Sequence, residues 1–340
     1  MTSFELADLG WSPHFARQDI PDGAHPLRIT AVHRDRLEAI STEGPTWLLT
    51  PEKTGLYAPG DWVLADLGRV TRRLERQSLL KRGSAADEAR PQLLAANVGT
   101  LGIVSSCNAD FNIARLERYL VLATDAGCLP LIVLTKADQT DAPETYVRDA
   151  ERLSPLVTAI AIDATDPLEV ARLEAWCRNG ETLALLGSSG VGKTTLRNAL
   201  TGESAATQGI REDDAKGRHT TTSRALVRTR SGGWLLDTPG MRSLSLTDVS
   251  GGIETIFEDI EALADTCRFS DCQHDTEPGC AVSQALEDGN LDADRLKRWR
   301  KLKSEERRNS ETLAESRARD KGFGKMVKGA MAQKRRDRGG

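Results

Sequence analysis

Hydrophobic and polar positions change their rhythm twice along this 340-residue chain. From about Leu27 to Arg82, five short apolar runs (LRITAV, RLEAIS, TWLLT, DWVLAD and RVTRRL) are separated by Gly, Pro and polar turns, with no helical period. Short strands at such close spacing predict a small barrel or sandwich. Five of them fit an OB-fold, whose face and loops serve single-stranded nucleic acid; an SH3-like barrel fits nearly as well. After KRGSAADEARPQ, strand and helix alternate. VGTLGIVSS, LPLIVLT, VTAIAID and ETLALLG read as buried strands. IARLERYLVLATDAG reads as a helix with Ile113, Leu116, Leu120 and Ala123 on one face and Gly127 as its stop. Strands apolar throughout, alternating with helices, predict a parallel sheet covered on both faces. Past about Gly251 no strand is apparent, and the chain turns helical and charged, as in LDADRLKRWRKLKSEERRNS. The expected organisation is a barrel domain over 1–85, an α/β domain over 86–250, and a helical domain with a basic tail over 251–340.

Composition adds limits. A net charge of −4 excludes a polycation, but residues 321–340 hold seven Lys or Arg against Asp337 alone. That end is expected to be a solvated tail or an arm for nucleic acid. The N-terminal MTSFELADLGWSPHF has neither the basic start nor the apolar run of a signal peptide. No stretch approaches the roughly 20 apolar residues that span a bilayer. The expectation is a soluble, cytoplasmic, monomeric protein with no membrane partner. Cys107, Cys128 and Cys177 lie among apolar neighbours and read as reduced core cysteines.

The segment Gly187-Ser188-Ser189-Gly190-Val191-Gly192-Lys193-Thr194, followed by Thr195, matches G-x-x-x-x-G-K-[ST] in full. Glycines let backbone N–H groups wrap phosphates; Lys193 reaches the β- and γ-phosphates, and the Thr194 hydroxyl ligates Mg²⁺. The loop follows the apolar TLALLG and precedes the helical KTTLRNAL. Some forty residues on, GWLLDTPG ends an apolar run at Asp237, placed for a Mg²⁺ water, with Gly240 placed for the γ-phosphate. Between them, KGRHTTT is expected to be a switch loop in which Thr221 closes on Mg²⁺, with Thr220 and Thr222 as alternatives.

The phosphate loop does not choose between ATP and GTP. Thr135-Lys136-Ala137-Asp138 does, being close to N-K-x-D and following the strand LPLIVL. An Asp carboxylate accepts two hydrogen bonds from guanine N1–H and its exocyclic amine, a pair that adenine lacks, while the Lys stem lies along the purine. Cys267-x4-Cys272-x-His274-x5-Cys280 offers four soft or borderline ligands in a polar segment with little core to hide in. Cys₃His is a structural zinc set, a disulfide is disfavoured in a cytosolic chain, and unpaired reduced cysteines are the remaining alternative.

With the base motif ahead of the phosphate loop, the chain resembles the circularly permuted GTPases, and closely the ribosome small subunit-dependent GTPase A (RsgA/YjeQ) family. AANVGTLGIVSS, NIARLERYLVLATDAG, GSSGVGKTTLRNAL, GRHTTT, LLDTPGMRSL and the cysteine cluster carry the resemblance, which covers most of the chain. It implies an N-terminal OB-fold, a central P-loop GTPase with permuted motif order, and a C-terminal zinc-binding helical domain holding one zinc on Cys267, Cys272, His274 and Cys280. It also implies GTP and GDP as ligands, Mg²⁺ with the nucleotide, and the small (30S) ribosomal subunit and its rRNA as partners in late subunit maturation. Thr135 replaces the family's usual Asn, which predicts reduced guanine affinity. Asp163-Ala164 takes the place of the base-backing Ser-Ala, and Gly99 stands where Asp is frequent. Met241 follows DTPG where many GTPases carry a water-orienting Gln, so His219 becomes the candidate to position water, against docking on phosphate or RNA. Two competing readings are an RNA-binding ribosome factor with little intrinsic hydrolysis and a P-loop ATPase.

Overall fold

The computed structural model describes residues 3–82, 92–203, 225–237, 246–275 and 277–310. A short helix α1 (Pro13–Ala16) precedes five strands: β1 (Pro26–Val32), β2 (Leu37–Ser41), β3 (Gly44–Leu48), β4 (Trp62–Asp66) and β5 (Arg69–Arg73). They pair antiparallel in the order β3-β2-β1-β4-β5. The ring closes where Leu49 N donates to Gly68 O at 2.9 Å and Val70 N donates to Leu49 O at 2.8 Å. A five-stranded ring with β1 paired to β4, and β5 meeting the end of β3, is the Greek-key barrel of an OB-fold. Leu27, Ile29, Leu37, Val63 and Val70 fill it.

A hairpin that the hydrophobic pattern did not predict follows, β6 (Leu79–Arg82) with β7 (Gln92–Ala96), and its two strands flank residue 85. The second sheet comprises β8 (Thr100–Ser106), β9 (Leu129–Thr135), β10 (Thr158–Ala161), β11 (Thr182–Gly187), β12 (Leu226–Arg228) and β13 (Trp234–Asp237). Its order is β10-β9-β8-β11-β13-β12, parallel except for the edge strand β12. Every residue of β8 and β11 is buried, as strands covered on both faces require. Helices α2 (Ile113–Asp125), α3 (Pro143–Glu151), α4 (Pro167–Ala171) and α5 (Lys193–Thr201) connect these strands. Cys107, Cys128 and Cys177 are free and buried, and burial pushes each thiol up to about 11. They are inert core residues, as expected.

The remaining helices are α6 (Ser250–Ile256), α7 (Glu258–Ala264), α8 (Ala281–Glu287) and α9, residues 293–310. None of the described helices is long and apolar enough to cross a membrane. Two unlike seams join the three regions. Between barrel and sheet, the Arg28 guanidinium is 1% exposed. It donates to Leu9 O and to Thr182 Oγ1, both at 2.7 Å, and lies 6.0 Å from the Trp62 ring and 5.8 Å from the Trp234 ring. Between sheet and C-terminal helices, α2 carries Glu117, fully buried, which accepts from Arg298 Nε at 2.6 Å and from Arg295 at 3.2 Å. A buried carboxylate is tolerated only when paired in this way. Arg118 adds a two-pronged bond to Glu305 at 2.5 and 2.8 Å. Further along α2, a Cβ on Gly252 would fall 2.3 Å from Val121 O, so only glycine lets α6 approach.

Candidate nucleotide site and metal centre

The phosphate loop leaves the carboxyl end of β11, in the middle of the parallel sheet, where such folds bind ligands. Gly187 is compelled by space: a Cβ there would lie 2.2 Å from Val104 O. Gly190 and Gly192 are compelled by backbone, with φ of +79° and +91°, in the left-handed region that glycine enters freely. Gly192 caps α5, so the helix begins at Lys193 and its first-turn N–H groups have no partner within the helix. Lys193 Nζ arches back over the loop and donates to Gly187 O at 2.8 Å and Ser188 O at 2.5 Å. Ser188 Oγ is met from the other side by Arg115 of α2, at 2.6 Å. Arg115 was not among the residues expected at the site. The only hint of it in the sequence is Asn112, whose side chain caps α2 and fixes Arg115 in the first turn.

The base motif begins at the end of β9. Thr135 is fully buried, and its hydroxyl lies 2.7 Å from Val191 O in the phosphate loop and 3.0 Å from Ser105 O at the end of β8. One hydroxyl proton serves one carbonyl at a time, yet either bond fastens the base motif to its neighbours. Thr135 therefore acts as a brace between the two halves of the site. Lys136 is left-handed, at φ 58°, and turns the chain into the 3-10 turn Ala137–Gln139 that presents Asp138. Ala137 N donates to Ile162 O at 3.3 Å, which joins this turn to the one after β10. In that second turn Asp163 accepts from Thr165 Oγ1 at 2.7 Å and Thr165 N at 2.8 Å, which holds its carboxyl below the usual range, and Ala164 is buried beside it. Ala137, Asp138, Asp163, Glu169 and Arg172 border an open cavity of about 470 Å³.

Asp237 ends β13 in register with Leu185, two residues before the phosphate loop opens. Thr194 lies in the first turn of α5. A hydroxyl and a carboxylate are the hard oxygen donors that Mg²⁺ takes, so the residue types on these two neighbouring elements fit that ion. His219, Thr221, Gly240 and Met241 lie outside the described residues.

The C-terminal cluster closes on itself. One ligand atom from each of Cys267, Cys272, His274 and Cys280 lies within 4.8 Å of every other. Cys267 Sγ is 3.8 Å from Cys280 Sγ, and His274 Nδ1 is 3.5 and 3.6 Å from those two sulfurs. Ligands at about 2.3 Å in a tetrahedron stand about 3.8 Å apart, so the spacing fits a four-coordinate metal. His274 adopts φ 62° to bring its ring inward. Burial alone would raise the Cys280 thiol, but hydrogen bonds with Ser283, His274 and Cys272 outweigh it and bring the group down to about 6, while burial pushes the neighbouring Cys272 thiol up to about 11. From α9, Trp299 packs 5.7 Å from the His274 ring, and Arg300 donates to the His274 carbonyl.

A parallel sheet whose guanine-type motif precedes its phosphate loop, between an OB barrel and a Cys₃His centre, defines a GTPase of circularly permuted motif order. The chain belongs to the RsgA GTPase family, whose model matches residues 73–247. It is 51% identical over 319 residues to the small ribosomal subunit biogenesis GTPase RsgA of Mesorhizobium japonicum, covering 91% of this chain and 92% of that one. It is 45% identical over 338 residues to the corresponding RsgA 2 of Vibrio vulnificus, covering 98% and 97%. Among solved structures, YjeQ from Thermotoga maritima superposes with a TM-score of 0.60 at 24% identity, over 82% of this chain and 97% of that one. YloQ, described as a circularly permuted GTPase, gives 0.57 at 23% identity, over 85% and 98%. Both likenesses bear on the fold.

Proposed function

We propose that this chain is a GTPase of small ribosomal subunit biogenesis, hydrolysing GTP to GDP and phosphate, with nucleotide state controlling docking on and release from the 30S particle. One observation carries the reading: the Thr135 hydroxyl ties the base motif to the phosphate loop at Val191 O. The two motifs thus form one site despite their reversed order. The relatives named as subunit-biogenesis GTPases support the partner. In this reading the protein works as a cytoplasmic monomer, and the barrel of residues 1–85, the GTPase of 86–250 and the helical module of 251–340 divide the labour. The first and last grip rRNA, and the Cys₃His set holds one structural zinc.

The loop N–H groups from Ser188 to Thr195 and Lys193 hold the phosphates in line, Asp138 reads guanine, and Ala137 and Ala164 flank the base. Thr194, Thr221 and Asp237 would hold Mg²⁺, which would supply charge neutralisation to the phosphates. Met241 cannot polarise water, so His219 is the residue assigned to position the attacking water on the docked subunit. Positioning and electrostatics are the two main terms in phosphoryl transfer. Turnover should be slow for the free protein and rise with added 30S particles, and GTP should outcompete ATP. An RNA-binding factor with little hydrolysis would bind the particles and show no such rise. His219→Ala should lower the plateau of turnover against subunit concentration; a shifted midpoint with an unchanged plateau would reassign His219 to RNA contact.

A further inference from the structure

Arg115 occupies an odd position for a cation. It stands in the first turn of α2, with its backbone N–H fixed by the Asn112 cap at 2.9 Å. That end of a helix is the positive one, where arginine is disfavoured and anions are favoured. Its neighbours on the same helix behave differently: Glu117 is sandwiched between two arginines, and Arg118 is clasped by Glu305. Arg115 is half-buried and pairs with no carboxylate among the described residues; its NH1 donates to Ser188 Oγ at 2.6 Å. Ser188 is also the residue whose carbonyl accepts from Lys193 Nζ at 2.5 Å. Lys193 is the side chain that reaches the β- and γ-phosphates in a loop of this type. Two cations from different elements therefore converge on one residue of the loop, one of them the lysine that serves the β- and γ-phosphates in loops of this type.

We propose that Arg115 is a further substrate contact of the GTP site: its guanidinium, parked on Ser188, turns to the γ-phosphate when GTP is bound. Resting on the GTPase reading above, this extends it. The fork geometry of a guanidinium suits phosphate oxygens, and a contact held by the terminal phosphate alone separates GTP from GDP. It would make α2 a sensor. The helix touches phosphate at its first turn and grips α9 one turn later, so the nucleotide state reaches the C-terminal module through a single element.

The test is equilibrium binding of the full chain to fluorescent GDP and to a non-hydrolysable fluorescent GTP analogue. Arg115→Ala should weaken the triphosphate analogue about tenfold, the size of one charge-assisted hydrogen bond, and leave GDP within about twofold. Arg115→Lys, which keeps charge but loses the fork, should recover part of the loss. It also serves if the alanine variant folds poorly. Equal weakening of both nucleotides would make Arg115 a brace of the loop and overturn the inference, as would no change in either. A parent chain that binds neither nucleotide would instead overturn the GTPase reading, and this inference with it.

Discussion

The nucleotide site and the metal centre solve the same problem, holding a charged ligand, in opposite ways. The metal centre gathers its four ligands from the fourteen residues between Cys267 and Cys280. It needs soft side-chain atoms, so its specification is chemical and local. The candidate nucleotide site draws on segments from Thr135 to Asp237, brought together at the carboxyl ends of parallel strands. It needs backbone N–H groups and a few fixed side chains, so its specification is geometric and depends on the sheet. This explains why the order of motifs along the chain is free to change. A sheet keeps neighbouring strand ends together whichever loop carries the chain termini.

The comparison can be broken most forcefully at the metal. Cys272→Ser should strip the ion, measured by elemental analysis of protein purified without chelator, and unfold the segment around α7 and α8. Structural zinc sites contribute roughly 10–16 kcal/mol, so a variant that keeps one zinc per chain would refute the ligand assignment. GTP binding should survive better than the module does.

Next in size, Lys193→Ala should lower hydrolysis by about 10²–10³-fold, the usual cost of one preorganised charge-stabilising donor. Metal content should not change, since the two sites share no ligand. Near-parental turnover would show that the phosphate site is elsewhere.

Thr135→Val sharpens the contrast further, because it keeps shape and removes only the hydroxyl. Losing a buried bond of this kind costs about 1–3 kcal/mol, so guanine-nucleotide affinity should fall about tenfold or more while zinc stays bound. An unchanged dissociation constant would mean that the brace to Val191 is not needed.

The smallest effect concerns the seam between the two regions. The Arg118 bond holds the Glu305 carboxyl below its ordinary range, and partial burial opposes this less strongly. A depressed carboxylate stabilises the fold fully above its unfolded pKa, and that contribution is lost as pH falls through the folded value. The parent should therefore exceed Glu305→Gln by about 1 kcal/mol or less at neutral pH, and melting curves of the two should converge in acid. A constant gap across pH would assign the difference to packing.

The barrel strands, the buried strands of the second sheet, the phosphate loop and the metal cluster were legible because each is a local pattern. Alternation marks a strand, and glycine spacing or cysteine spacing marks a ligand loop. What escaped was set by distant partners. Glu117 is buried because Arg295 and Arg298 arrive from about 180 residues away, a pairing that no local pattern announces. Thr135 reads as a stand-in for an Asn that braces the base loop, but the partner of its hydroxyl, a carbonyl 56 residues on, is not visible in the local pattern. The hairpin of β6 and β7 has strands of four and five residues separated by a long charged connection, too short and too far apart to signal each other. Arg115 looks like any helical arginine until Ser188 is placed beside it.

Arg28 is a clamp at one end of a strut. It clamps the barrel to Thr182, the first residue of β11, and the last residue of that strand, Gly187, opens the phosphate loop. Six extended residues make a strut roughly 17 Å long, flanked by hydrogen-bonded strands on both sides and stiff along its length. The barrel is therefore bolted to one end of a rod whose other end carries the phosphates. A displacement of the barrel against the sheet would bear on the end of the strand opposite the loop.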